Sequence, residues 1–279
     1  MTWIQGLIYG AVQGLTEFLP VSSSGHLVIF YTFFGESEES NLAFSVFLHL
    51  ATLTSVIVVF HKDIRSLLRE FFTALIDICK GKISFATEER RFLLMVIIGS
   101  VPAGLAGVLV KISGLSAVLE NIFVTASMLL VTAALMFAID KIKPGEQTAI
   151  DTPLLRTSLI VGLVQAIAIL PGISRSGSTI FGGLMGGLKR DFAVKYAFIL
   201  SIPVILGAGM VELIGLRKSS GYEIELLSWT MGFLAAAICG ILAIRLIKLL
   251  IKSNRFYFFG IYCLLVAIFG FLVGLGIVG

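Results

Sequence analysis

Two short stretches of the chain hold the side chains that could do chemistry. The first runs Gln13-x-x-x-Glu17 and then Pro20-Val-Ser22-Ser23-Ser24-Gly25-His26; the second runs Pro171-Gly172-Ile-Ser174-Arg175-Ser176-Gly177-Ser178-Thr179. Gln13 and Glu17 stand four apart, so on a helix they share a face. Pro20 ends or kinks that helix, Ser22 to Gly25 makes a turn, and a helix restarts near His26. Ser23 and His26 are near enough in sequence for the imidazole to take the hydroxyl proton, which is nucleophile-plus-base logic, with Glu17 able to orient the ring. The stretch 174–179 reads as a loop running into a helix start, whose free backbone N–H groups and positive dipole end favour an anion. Arg175 adds a planar fork suited to phosphate oxygens. Together they point to phosphoryl chemistry on an anionic substrate. Plainer readings stand beside this one: the serines could satisfy backbone groups freed at a break, and Glu17 with Arg175 could be a structural ion pair.

These residues must be positioned inside a membrane. Of 279 residues, 57% are hydrophobic and only 14% charged, and the mean hydropathy is +1.02. Soluble domains carry roughly twice that share of charge, so disorder, a soluble enzyme and a nucleic-acid binder are all excluded. The net charge of +4 resembles that of a nucleic-acid binder, but the basic residues sit between apolar stretches. Long continuous apolar runs, rather than alternating segments, argue against a β-barrel. Cys79, Cys239 and Cys263 are far apart and form no CxxC, so they read as packed thiols. No basic n-region precedes Lys62, so no signal peptide is expected. Six stretches read as spans: Ser40–His61, Phe92–Val110, Asn121–Ile139, an extended Tyr196–Val211, Leu226–Ile244 and Phe256–Gly279. His49 falls inside one of them and reads as packing or interior polarity; His61 reads as interfacial, and Glu120 and Glu212 as span ends.

Residues 1–35 and 154–189 are also apolar, yet each is broken near its middle by Pro, Gly and Ser. They match each other. Gly10-Ala-Val-Gln13, eight residues, then Ser22-Ser-Ser-Gly25 recurs as Gly162-Leu-Val-Gln165, eight residues, then Ser174-Arg-Ser-Gly177, at an offset of 152. Such self-similarity marks a duplication, here with halves of about residues 1–141 and 154–279 within one membrane domain. A helix–break–helix contributes an even number of crossings and the three spans after it an odd number, so the halves are inverted. The expected fold is all-α and polytopic: an inverted-topology repeat of six transmembrane helices plus two re-entrant helix–loop–helix hairpins, with the breaks meeting at a polar site. With the N-terminus outside, segments 62–91, 140–156, 189–195 and 245–255 lie inside and hold 17 of the 21 basic residues. Lys111, Arg217, Lys218 and the acidic run Glu36, Glu38, Glu39 lie outside.

The motifs [E/Q]xxxE followed by PxSSSGH, and the later PGxSRSG, resemble those of the undecaprenyl-diphosphate phosphatase family linked to bacitracin resistance. The resemblance spans essentially the whole chain. It implies a plasma-membrane hydrolase that converts the C55 prenyl diphosphate to the monophosphate carrier of cell-wall glycan synthesis, with its site facing outward. It implies catalytic roles for Glu17, Ser23, His26 and Arg175, and substrate binding by Gln13, Ser22, Ser24, Gly25, Ser174, Ser176, Gly177 and Thr179. A divalent cation, Mg2+ or Ca2+, is implied by the family alone; Glu17 is its one carboxylate here, because Gln13 stands at the E/Q position. Either Ser23 or His26 could attack phosphorus. The partners implied are the prenyl diphosphate and membrane lipid, with a homodimer left open and no nucleic acid. A transporter or flippase for a phosphorylated lipid is the alternative on the same inverted-repeat site, but it needs no nucleophile–base pair. A type-2 phosphatidate phosphatase needs a second His after the Arg, and none follows His61.

The distribution of basic residues predicts the orientation directly. A cysteine at Ser220 should react with an impermeant thiol reagent in intact cells, and one at Ser84 should not. Reversed labelling would invert the whole topology.

Overall fold

The computed structural model describes residues 2–35, 38–82, 85, 87–115, 121–143, 145–216, 225–251 and 255–278, with backbone only for 38–42 and 212–216. Glu36, Glu120, Arg217, Lys218 and positions 84 and 220 lie outside the described residues; Ser113 and Lys82, both exposed, offer the same labelling test. The described residues form eleven helices. In order they are α1 (Trp3–Phe18), α2 (Ser23–Phe33), α3 (Glu38–Val59), α4 (His61–Cys79), α5 (Glu88–Ser113), α6 (Ile122–Lys141), α7 (Leu154–Ile167), α8 (Arg175–Met185), α9 (Arg190–Leu216), α10 (Leu226–Leu250) and α11 (Tyr257–Gly274).

The protein is a polytopic helical membrane protein. Helices α5, α6, α9, α10 and α11 are each long and apolar enough to cross a bilayer. The sixth expected span falls on α3, whose Ala43–Val59 part is long and apolar enough only together with α4, which leaves it at 91° just after Phe60. The sequence reading had assigned the α4 residues only to an inner segment. Their charges recur every few residues, which hides a helix from a search for long apolar runs.

The two broken regions are helix–break–helix hairpins. Helices α1 and α2 have 16 and 11 residues, and α7 and α8 have 14 and 11. At ~1.5 Å per residue each falls short of the ~30 Å hydrocarbon core. The helices of each pair pack on each other. The element order of α1, α2, α3, α5 and α6 repeats as α7, α8, α9, α10 and α11, with α4 the one addition. Packing crosses between the halves: α1 lies on α10, while its counterpart α7 lies on α5; α3 meets α9, and α6 meets α11.

Small residues make this interlocking possible. Gly6, Gly10 and Gly14 on α1 face Ser228, Gly232 and Ala236 on α10, and a Cβ on Gly10 would collide with the Gly232 backbone. Gly162 on α7 sits likewise against Gly99 and Pro102 on α5. Between helices in lipid, close backbone approach replaces the hydrophobic driving force available in water. Below the hairpin tips a core cluster joins Phe18, Val56, Phe60, Met136 and Phe198. The Phe18 ring meets Phe198 edge-on, with centroids 5.5 Å apart. Asp140 at the end of α6 caps α11 by accepting from the amides of Phe256 and Tyr257 at 3.0 and 2.8 Å.

The contrast between packed and lipid-facing glycines generates a test. Gly10→Val should sharply lower the yield of monodisperse protein and its melting temperature, since an interface with no room for a Cβ is overpacked, at about 1–3 kcal/mol or more. Gly104→Val on α5, where a Cβ meets nothing within 4 Å, should behave like wild type in the same thermal-shift measurement.

Candidate active site

The Glu17 carboxylate lies in the last turn of α1 and is 5% exposed. Its Oε2 accepts from Gln13 Nε2 at 2.9 Å and from Ser23 Oγ at 2.6 Å. Its Oε1 accepts from Arg175 Nη2. His49 Nε2, on α3, stands 3.8 Å from Oε2. A carboxylate this deep is costly to bury unless paired and hydrogen-bonded, and here three donors come from three helices of both halves, α1, α2 and α8, with His49 of α3 standing near. The shared face of Gln13 and Glu17 is as the four-residue spacing predicts.

Local sequence builds the two breaks. Leu19 is extended, as a residue before proline must be, and Pro20 then stops α1. Ser22 is the one non-glycine residue with positive φ, +69°, among those described. Such a conformation stores about 1–3 kcal/mol. It is held because Ser22 Oγ accepts from the Gly25 amide at 3.3 Å while its carbonyl accepts from His26 Nδ1 at 2.7 Å. In the second break Gly172 takes φ +98°, and a Cβ there would strike α6. Thr132 of α6 clamps this turn: its hydroxyl donates to the Gly172 carbonyl at 2.7 Å and accepts from the Ser174 amide at 2.9 Å. Ser174 Oγ then caps Gly177 at 3.1 Å, repeating the role of Ser22 at the same offset.

The breaks meet. Ser176 Oγ donates to the Leu19 carbonyl at 3.1 Å. A Cβ on Gly25 would lie 3.1 Å from Gly172 Cα, and one on Gly177 would lie 3.3 Å from Pro20 Cβ. Helices α2 and α8 therefore both begin at one junction, and the first amides of each have no intrahelical acceptor. Two helix N-termini, with the Arg175 guanidinium at the head of one of them, make an anion-binding corner.

The expected residues divide into two groups. Glu17, Ser23, Gln13 and Arg175 converge. Ser23 and His26 do not pair, and Glu17 does not orient the imidazole. A carbonyl only accepts, so His26 Nδ1 carries the proton toward Ser22, and Nε2 accepts from the Tyr262 hydroxyl at 2.8 Å. The Tyr262 ring, on α11, stacks on the imidazole at 5.5 Å between centroids and 8° between planes. Ser22, Ser174 and Ser176 use their hydroxyls in caps and the Leu19 contact, and Thr179 donates back to Arg175 and Ser176 carbonyls of its own helix. Ser24 contacts Ser22 Oγ at 3.4 Å. Gly25 and Gly177 admit the close approach of the two loops.

Comparison with known proteins places the chain in a family. The family described as bacitracin resistance protein BacA matches residues 6–269. The chain belongs to that family. It is 41% identical over 275 residues to an undecaprenyl-diphosphatase of Methanobrevibacter smithii, covering 98% of both chains. It is 38% identical over 270 residues to one of Methanosphaera stadtmanae, covering 95% of both, and 41% identical to one of Thermosipho africanus, covering 96% of this chain and 99% of that one.

The donor set also bears on the divalent cation that the resemblance implies. Among the described residues Gln13 Oε1 is buried with no hydrogen-bond partner, one turn of α1 before the Glu17 carboxylate. That suits Mg2+, which takes one or two carboxylates and completes its shell with water and substrate phosphates. It falls short of the 6–8 oxygens of a protein-built Ca2+ cage, and no group of three or more His, Cys, Asp or Glu gathers among the described residues.

Sequence reasoning missed three members of the site. Thr132, His49 and Tyr262 each lie alone within an apolar span, and nothing in their spacing joins them to the motifs. The intramembrane polarity of His49 was the only available signal. For Thr132 the test is direct. Thr132→Val keeps the shape but strands the Gly172 carbonyl and the Ser174 amide, each worth about 1–3 kcal/mol when buried unpaired. The melting temperature should fall, and Thr132→Ser should restore it.

Proposed function

We propose that this chain is an integral-membrane phosphatase acting on a prenyl diphosphate, of the undecaprenyl (C55) kind for which its relatives are named. The products are the prenyl monophosphate and phosphate, which returns the lipid carrier to cell-wall glycan synthesis. In this reading the chain works as one membrane domain of two pseudo-repeats, about 1–141 and 154–279, in the plasma membrane with its site open to the outer face. The inside-weighted basic residues support that orientation. The observation that carries the reading is the Ser23–Glu17–Arg175 line at the start of two helices: a hydroxyl, a carboxylate to take its proton and a guanidinium for phosphate oxygens, all at one buried junction.

The geometry supports a covalent route. The terminal phosphate docks against the first amides of α8 and draws Arg175 away from Glu17. Relieved of its counter-charge, Glu17 accepts the Ser23 proton across the existing 2.6 Å hydrogen bond. Ser23 Oγ bonds to the terminal phosphorus, the bridging P–O bond breaks, and the prenyl monophosphate leaves as an anion. Water then attacks the phosphoserine; the Oγ–P bond breaks, Glu17 returns its proton to Oγ, and the phosphate departs as dihydrogen phosphate carrying both protons of the water. Both His26 nitrogens are engaged, which favours Ser23 as the attacking group. His26 instead holds the Ser22 carbonyl, and so the strained turn that presents Ser23, while Tyr262 keeps it in one tautomer. Gln13 Oε1 and Glu17 would hold a Mg2+, which when bound would neutralise diphosphate charge.

The deciding experiment measures phosphate release from C55 diphosphate by purified protein, with and without Mg2+. Arg175→Ala should fold yet lose at least ~10³-fold in turnover. Arg175→Lys should rescue poorly, because a point charge lacks the bidentate fork. Acid-quenched protein should carry acid-stable label on Ser23. Acid-labile label on His26 would overturn the assignment, and near-normal turnover in Arg175→Ala would displace the phosphate site.

A further inference from the structure

Helix α4 carries three separate stripes. Asp63, Glu70 and Asp77 recur every seventh residue and so share one side of the helix. All three are spent on the bundle. Glu70 and Asp77 pair with Arg90 of α5, the latter at 2.8 Å, and Asp63 pairs with Lys195 of α9 at 3.2 Å. Lys195 also lies 5.4 Å over the rings of both Phe92 and Phe192. A second stripe is apolar and open: Leu68, Phe72, Ile76 and Ile78 are each more than half exposed, and Phe71 and Leu75 are exposed beside them. The third stripe is Lys62, Arg65 and Arg69, exposed along the edge of the apolar face. Among the described residues no hydrogen bond or ion pair engages these three side chains.

We propose that α4 is a surface-lying helix that binds anionic phospholipid headgroups on the side of the membrane that collects the basic residues. The 91° bend from the α3 span lays α4 along the bilayer surface. Its apolar stripe enters the acyl boundary, as amphipathic interfacial helices do. Because the three acids of the helix are turned to the bundle and ion-paired there, with Glu70 and Asp77 sharing Arg90, the stripe along the apolar edge carries only positive charge. Arg65 and Arg69 offer planar forks that match lipid phosphates, and the leaflet's negative potential attracts them over a short range. The ion pairs to Arg90 and Lys195 fix the helix's rotation, so the basic stripe is held in place before lipid arrives. The inference does not depend on the phosphatase reading.

The test uses full-length protein in nanodiscs of phosphatidylcholine alone and of an equimolar mixture with phosphatidylglycerol. The wild type should melt several degrees higher in the mixture. Lys62→Gln/Arg65→Gln/Arg69→Gln should lose that gain. Lys141→Gln/Lys143→Gln/Arg156→Gln, which removes equal charge from exposed positions elsewhere on the same side, should keep it. No gain in the wild type, or equal loss in both triple variants, would overturn the proposal. A second measurement covers failure of the α4 variant to fold. In a background lacking the native cysteines, a fluorophore at Ile76→Cys should be quenched by acyl-chain spin-labelled lipid more strongly than one at Thr73→Cys, on the polar side. Equal quenching at the two positions would sink the surface-lying geometry.

Discussion

A carboxylate buried in a bilayer must be surrounded by donors or give up its charge, and Glu17 meets that condition only because two halves of the chain meet around it. The donors Gln13 and Ser23 come from the first hairpin and Arg175 from the second, while His49 of α3 stands 3.8 Å away. The Arg175 pair is therefore a structural tie between the two hairpins and, in the function proposed above, a stored binding site. A polyanionic ligand can compete for the guanidinium, and winning it leaves Glu17 as a base already hydrogen-bonded to a hydroxyl. Structure and chemistry thus depend on the same ion pair.

The meeting of the hairpins rests in turn on what the helices can bring close. Glycines along α1 let it lie against the backbone of α10, and α7 reaches α5 by the same device. Each hairpin is consequently seated on the other half's spans. The breaks carry polar backbone groups that lipid would not tolerate. Capping serines, the Thr132 clamp and the contact of Ser176 with Leu19 satisfy them. Most of the hydroxyls near the site belong to this second purpose, which leaves Ser23 as the one directed at the carboxylate.

Two similar breaks meet at one junction. At the offset of 152, Ser23 corresponds to Arg175, Glu17 to Ile169 and His26 to Ser178. The capping positions Ser22 and Ser174 are shared because both helix starts need the same side-chain cap. The chemical positions diverged because one junction needs a hydroxyl, a base and a cation, and each half supplies what the other lacks.

Much of this was legible in the residues alone. Membrane class, spans, the two matching breaks and the convergence of Glu17 with Arg175 follow from apolar run length, from a repeated motif and from the penalty on charge in lipid. These are one-dimensional signals. Helix α4 was not visible, because its three stripes carry meaning only once the bundle shows which one is paired. The partners of His26 were not visible either: a three-residue gap suggested Ser23, while the fold turned the ring toward Tyr262, 236 residues away. Thr132 and His49 likewise joined the site through packing between spans. Sequence determines which groups the bilayer forces together; only the tertiary structure decides which hydrogen bond each one makes, because directional bonds depend on angles and distances that span-level patterns do not encode.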